Sequence, residues 1–331
     1  MDYDVWIVVV NWNGAHLLPS CLRSLAHLSH PAKVIVVDNG STDGSAAAVA
    51  SFPGVEWLPL GENTGFAYAN NVGMRRALDS GAGWVGVVNP DVELDRDWLL
   101  HLLAAGRQHP EVGMLGGLLL FADDPTRVNS TGLVLDALGR ARDRDFGTEL
   151  SALATVDGPV TGATGGAALY RAETLRRVGL FDPAYFAYYE DVDLSLRAAA
   201  LGVHSYYVSA ARGLHGFGKT FGPGSPRQRY LLARNHMRAM ATHFPLWKVL
   251  LLVPPLVLLR AFVKAPMEFV RGHPAHASAH LHAAVAGSFA AFQVLSRRLR
   301  GISSLPQADR SQTVPRATAA RQPQAPEDRL H

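Results

Sequence analysis

A chain of 331 residues, 48% hydrophobic and 18% charged, is long enough to bury one large core or two. Its single cysteine, Cys21, excludes a disulfide framework and a cysteine-ligated zinc site. The net charge of +3 does not signal nucleic-acid binding: seven arginines and three acids lie between Arg297 and His331, leaving residues 1–296 at −1 without a basic stripe.

The acidic start, Met1-Asp2-Tyr3-Asp4, shows no secretory signal, so the body of the chain is expected in the cytoplasm. It runs directly into an apolar strand, Val5–Val10, followed by Asn11-Trp12-Asn13-Gly14 and a helical pattern from Ala15 to Leu28. Lys33–Val37 reads as a second strand opening into the turn-rich Asp38–Gly44, then a short Ala-rich helix. A third strand, Val55–Leu60, ends in Gly61-Glu62-Asn63-Thr64-Gly65-Phe66, and a helix containing Asn70 and Asn71 runs to Ser80. The next apolar run, Trp84–Val88, stops at Asn89-Pro90-Asp91. Strands alternating with helices predict βαβ units and a mainly parallel sheet with helices on both faces. Ligands bind at the C-terminal ends of such strands, and all four of these ends are rich in Asn and Asp. Asp91 alone reads equally well as a cap for a helix starting near Asp95.

Between about 122 and 165, Gly/Asp/Arg-rich turns and short apolar pieces predict hairpins or a lid. Val160–Gly166 is either a glycine-rich ligand loop or a tight crossover. Phe181–Asp193 crowds aromatics against Glu190, Asp191 and Asp193 at the start of a helix that ends at Gly202. There Asp191 or Asp193 is either an N-cap or a functional base. The helix N-terminus favours the ionised form of a carboxylate, while its acidic neighbours raise the pKa. His215, in a glycine-rich loop after a strand over Val203–Val208, is either structural or a ligand. The helix starting at Arg229 carries Arg234 on a basic face suited to solvent or to an anionic substrate.

From Phe244 the composition changes. Eleven uncharged residues between Lys248 and Arg260 fall short of the roughly 20 needed to span a membrane, and Pro254-Pro255 should break the helix. An interfacial or re-entrant anchor is expected, with a core helix hairpin as the alternative. His273, His276, His280 and His282 have metal-compatible spacing but no acidic or cysteine partner nearby in the sequence, which favours a solvated or membrane-surface helix. Beyond Gly301 the Pro/Gln/Ala/Arg mixture predicts disorder.

Five stretches, taken in order, carry a resemblance: Val8–Gly14, Val37–Asp43, Asn63–Asn71, Asn89-Pro90-Asp91 and Tyr189–Asp193. Together they resemble the inverting glycosyltransferases of family 2 with the GT-A fold, in particular the rhamnosyltransferase-like branch, over about residues 5–235. The resemblance implies a nucleotide-diphosphate-sugar donor held by Asn11, Asn13, Asp38, Asn63, Gly65, Phe66, Asn70 and Asn89. It implies Asp191 as the base that deprotonates the acceptor hydroxyl. It also implies a divalent cation, Mg²⁺ or Mn²⁺, on Asp91 with His215, because Asn89 stands where the family's Asp-x-Asp element has its first acid. Gly162, Glu190 and Arg234 are assigned to the acceptor or diphosphate side.

The implied organisation is a nucleotide-sugar-binding half over 1–121, an acceptor and catalytic half over 122–243, a membrane-associated helical segment over 244–300 and a tail over 301–331. The Gln-x-x-Arg-Trp element of processive synthases is missing, so one or a few sugars are expected to be added. The implied partners are a nucleotide sugar and a lipid-linked envelope glycan, met at the cytoplasmic face of the cell membrane, with no nucleic acid. A sugar-phosphate nucleotidylyltransferase would want a cationic Gly-rich loop after the first strand, which Asn11–Gly14 does not supply. A non-catalytic nucleotide-sugar-binding membrane scaffold is the other alternative.

Overall fold

The computed structural model describes residues 4–154, 156–218, 222 and 224–301. The tail expected to be disordered therefore lies, from residue 302, outside the described residues. In chain order the elements begin β1 (Val5–Asn11), α1 (Leu18–Ala26), β2 (Lys33–Asp38), α2 (Ser45–Ala50), β3 (Val55–Pro59), α3 (Phe66–Asp79) and β4 (Trp84–Val88). They continue with β5 (Val92–Leu94), α4 (Trp98–Gln108), β6 (Val112–Phe121), β7 (Val128–Ser130), β8 (Leu133–Leu135), β9 (Ala141–Asp143) and β10 (Gly158–Val160). Next come β11 (Ala167–Arg171), α5 (Ala172–Val178), α6 (Glu190–Ala200), β12 (His204–His215) and α7 (Pro226–His243). The C-terminal helices are α8 (Leu246–Leu258), α9 (Ala265–Val270) and α10 (Pro274–Leu299).

A ten-stranded sheet organises the chain, in the order β10-β12-β6-β11-β4-β1-β2-β3, with β5 against β12 and β7 against β6. β4, β1, β2 and β3 are mutually parallel, whereas β11 runs antiparallel to both β4 and β6. Strand alternation divides the core cleanly. Val5, Ile7 and Val9 of β1 join Val34 and Val36 of β2 under α1 and α4. Trp6, Val8 and Val10 join Ile35 and Val37 under α3, α5 and α6. Two-sided burial explains why these strands read as unbroken apolar runs. The expected hairpin in the middle of the chain is the antiparallel pair β8–β9.

Two local expectations are corrected. His215 is not in a loop: β12 continues to it, pairing it with Val92 and Phe121. Nor do Pro254 and Pro255 end the apolar helix. Helical structure runs without a break over Leu246–Val270, 25 residues that are long and apolar enough to cross a membrane. A wider π-helical turn at Leu259–Lys264, where the Ala265 amide donates to the Arg260 carbonyl, follows the prolines. Such turns re-space a helix whose regular hydrogen-bond ladder is interrupted. One side of α8 packs Val249 and Val253 onto Met237 and Met240 of α7 and Val294 of α10. Leu250, Leu251, Phe262, Val263, Phe269 and Val270 are exposed.

Candidate active site

The parallel strands end in three loops that are stitched to one another. Asn11 Nδ2 donates to Asp38 Oδ1 (3.2 Å) and Ser41 Oγ (3.0 Å), Thr42 N to Asn13 Oδ1 (2.8 Å), and Ala15 N to Asp43 (2.9 Å). Asn39 Oδ1 accepts from both the amide and the hydroxyl of Thr64 (2.8 and 2.9 Å). Asn63 Oδ1 accepts from Asn39 Nδ2 and from the Gly65 amide. Gly65 has φ +90°, and a Cβ there would meet the Phe186 ring at 2.6 Å. Glycine thus lets this loop touch the aromatic loop from the other half of the chain.

Between these loops and α6 lies a cavity of about 260 Å³. Of the residues expected at the site, Asn63, Phe66, Asn89, Glu190, Asp191 and His215 line it. Asn11, Asp38 and Asn70 are buried behind it as loop staples, Asn70 Nδ2, for example, donating to the Phe66 carbonyl, and the exposed Asn13 staples the first loop to the second through Thr42. Gly162 is not at the cavity, because it packs against Ser195 and Leu133 where a side chain would clash. Arg234 is not free for an anion either: its guanidinium donates to the carbonyls of Ala184 (2.7 Å) and Tyr185 (2.8 Å) and to Asn235 Oδ1.

Arg234 and Asn235 act on backbone conformation. Phe186, Tyr188 and Tyr189 all have positive φ (66°, 68° and 75°), a conformation costly for residues with side chains. Asn235 Nδ2 lies 2.7–3.0 Å from the carbonyls of Tyr185, Ala187 and Tyr188. This clamp holds the turn that aims Glu190 and Asp191 into the cavity.

Neither acid is a simple cap. Tyr189, in the left-handed region, occupies the N-cap position of α6. Asp191 Oδ2 accepts from the Gly165 amide at 2.8 Å, and Oδ1 from the Val192 amide at 2.8 Å. A Cβ on Gly165 would sit 3.3 Å from that carboxylate, so the glycine-rich bend gives the acid close access to a backbone donor. Burial pushes the Asp191 pKa up to about 6; the two amides oppose the shift and the nearby Asp143 adds to it. Burial, with Asp191 alongside, also holds Glu190 well above the usual carboxylate range. Asp193, two residues on, behaves oppositely. Burial would raise it, but Arg197 (2.8 Å) and His243 (2.8 Å) outweigh that and lower its pKa. It is a structural ion pair.

Asp91 lies beside the cavity, 3.5 Å from His215 Nε2. It precedes β5 and caps no helix, since α4 begins only at Trp98. His215 Nδ1 is 2.8 Å from Asn129 Oδ1, a contact that favours the tautomer whose Nε2 lone pair faces Asp91. Asn89 Oδ1 is buried without a hydrogen-bond partner. A carboxylate, an imidazole nitrogen and an unsatisfied amide oxygen suit a divalent cation shared with phosphate oxygens.

Two polar lining residues beside the acids and His215 are not among the sequence candidates. Asn129 comes from β7 and Asp143 from β9. Asp143 Oδ1 is buried with no partner, and burial raises its pKa although Ser130 and Thr164 oppose the shift. The histidine run also differs from expectation, because an acid does approach it. Glu268 Oε2 is 3.1 Å from His273 Nδ1, and Glu268, His273 and His276 bring donor atoms within 4.8 Å of one another. Arg229 and Arg271 lie 3.8 and 3.9 Å from the same carboxylate.

Known proteins resemble the chain in sequence and in fold. A model of the family described as "Glycosyl transferase family 2" matches residues 6–179. The chain is 36% identical over 229 residues to an N-acetylglucosaminyl-diphospho-decaprenol L-rhamnosyltransferase of Mycobacterium tuberculosis, covering 63% of this chain and 75% of that one. It is 24% identical over 225 residues to the rhamnosyltransferase WbbL of Escherichia coli, covering 64% and 83% respectively. Its fold is similar to that of a mannosyltransferase from Pyrobaculum calidifontis in complex with GDP-Man and Mn²⁺, with TM-score 0.56 and 17% identity over 87% of this chain and 88% of the other.

Proposed function

The chain belongs to glycosyl transferase family 2, and from that premise we propose that it is an inverting transferase acting on a lipid-linked glycan acceptor. The best choice of donor is dTDP-rhamnose, because the relatives at 36% and 24% identity are both rhamnosyltransferases. The observation that carries the reading is Asp191: a half-buried carboxylate whose pKa is pushed up to about 6, in one cavity with Asn63, Phe66, Asn89 and His215.

In this reading Phe66, Asn63 and Asn89 line the nucleotide side. Asp191 is the general base. It takes the proton of an acceptor hydroxyl as that oxygen bonds to the anomeric carbon. The carbon–oxygen bond to the nucleoside diphosphate breaks, and its electron pair leaves with the diphosphate, inverting the configuration. The Gly165 and Val192 amides fix the carboxylate's orientation, and the Asn235 clamp fixes the turn that carries it. Glu190, its pKa held up by burial and by Asp191 alongside, turns the unpartnered Oε2 of its carboxyl toward the same space. Asp91, His215 and Asn89 would hold the divalent cation, Mg²⁺ or Mn²⁺. When bound, that ion offsets charge building on the leaving diphosphate; the mannosyltransferase of similar fold is described with Mn²⁺.

The exposed apolar face of Leu246–Val270 and Phe289 and Phe292 of α10 support membrane association, on the cytoplasmic side where nucleotide sugars are made. The direct test is an incubation with dTDP-rhamnose, divalent cation and a polyprenyl-diphosphate-linked N-acetylglucosamine. Transfer of one rhamnose with anomeric configuration opposite to the donor's is expected. Retained configuration, or donor hydrolysis without transfer, would contradict the proposal.

A further inference from the structure

The long apolar helix carries two cations that the catalytic reading does not use. Arg260 and Lys264 lie four residues apart in the π-helical turn, half-buried, while Phe262 and Val263 between them face outward. Among the described residues neither cation has a carboxylate within ion-pairing distance, and Arg260 Nε is buried without a hydrogen-bond partner. Other polar and charged side chains surround them. Arg140 and Tyr189 are within electrostatic reach of Arg260, and Arg140 and Arg229 within reach of Lys264. Buried His280, whose Nδ1 also lacks a partner, faces Arg260, Lys264 and Arg229 from α10.

The acids nearby are already engaged. Asp136 is held by Arg140 (2.9 Å) and Arg142 (3.1 Å), and Glu268 by His273, Arg229 and Arg271. Two half-buried like charges, Arg260 and Lys264, with the Arg260 Nε donor unsatisfied, are unfavourable unless an anion completes them. Arg140 and Arg229, exposed and paired with Asp136 and Glu268, stand at the rim.

Position identifies the anion. Arg140 precedes Ala141, which lines the catalytic cavity, and Tyr189 precedes Glu190 and Asp191. The outer side of the same helix is exposed hydrocarbon, including Leu258, Phe262 and Phe269. A ligand that fits all three features has a sugar in the cavity, a multivalent anion one step outside it and an apolar chain beyond. We propose that Arg260 and Lys264, with Arg229, Arg140 and His280 around them, form the subsite for the diphosphate of a polyprenyl-diphosphate-linked acceptor. Arginine's planar fork and lysine's point charge both suit phosphate oxygens. This subsite rests on the acceptor class given above, but it can be tested without turnover.

The test uses the full chain in detergent, comparing wild type with Arg260→Gln/Lys264→Gln. In the first arm, farnesyl diphosphate is added in the presence of chelator. It should raise the melting temperature of the wild type and not that of the double variant, whose ligand-free melting temperature should equal or exceed the wild type's because repulsion has been removed. In the second arm, acceptor KM is measured for a polyprenyl-diphosphate-linked sugar and for a neutral alkyl glycoside of the same sugar. The preference for the diphosphate acceptor should fall at least about tenfold in the double variant, and Arg260→Lys should restore part of it.

Equal thermal shifts in both proteins, or an unchanged preference, would overturn the subsite. So would loss of binding to phosphatidylglycerol vesicles with the preference intact, since the cluster would then be reading bilayer headgroups. If the wild type transfers sugar to neither acceptor, the acceptor class is wrong, while the melting arm still decides whether the cations bind a lipid diphosphate.

Discussion

The two walls of the cavity are built on opposite principles. On the donor side, the bonds Asn11–Asp38, Asn39–Asn63 and Asn13–Thr42 knit three loops together, with Asn11 Oδ1 the one buried atom of this set left without a partner. On the base side, Asp143 Oδ1 and Glu190 Oε2 are buried without partners. Satisfied networks rigidify a surface; unsatisfied polar atoms in a closed space cost stability and are kept where a ligand completes them. Asp191 and Asp193 show the contrast within one helical turn. Asp193 is neutralised by Arg197 and His243, while Asp191 meets only backbone amides and is left proton-hungry near neutral pH. Binding belongs to the first wall and proton transfer to the second.

The comparison can be broken at several points. The largest effect is expected where both walls meet the leaving group. Asp91→Ala, or chelation of the wild type, should reduce transfer by roughly 10²–10³-fold, and added Mg²⁺ or Mn²⁺ should rescue only the chelated wild type. Full activity in chelator would remove the cation from the account.

Next comes the clamp. Asn235→Ala removes a shared donor from the Ala187 and Tyr188 carbonyls of a strained turn, while Tyr185 keeps Arg234, and should cost about 1–3 kcal/mol in urea unfolding, with kcat falling more than the donor KM rises. A stable variant with unchanged kcat would show that the turn holds itself.

The smallest effect concerns pH. Asp191 must be deprotonated to act, so kcat/KM should fall as pH drops through about 6. The negative charge of Asp143 raises the Asp191 pKa, so Asp143→Asn should move that acid limb to lower pH. A limb that stays put, or moves upward, would separate the two carboxylates.

Much of this was legible in the sequence because it is local. Apolar strands ending in Asn/Asp-rich loops announce a parallel sheet with a polar edge, and Tyr189–Asp193 announces buried acids next to aromatics. Asn129 and Asp143 were not legible. Each sits in a three-residue strand of a local hairpin, β7 against β6 and β9 against β8, too short to carry a pattern, and only the tertiary fold brings it to His215 and Asp191. Arg234 misled for a related reason: its intended partners are backbone carbonyls of Ala184 and Tyr185, about 50 residues away, and a sequence does not display carbonyls. The proline pair misled because the rule that proline breaks helices takes no account of the π-helical turn that follows it.

The central claim is that Asp191 accepts the acceptor's proton and does little else, and Asp191→Asn measures it most directly. Calorimetry should give donor affinity within about twofold of the wild type, while single-turnover transfer at pH 7.5 falls by roughly 10²–10⁴-fold. Transfer at the parent rate, or loss of donor binding in step with loss of transfer, would contradict it.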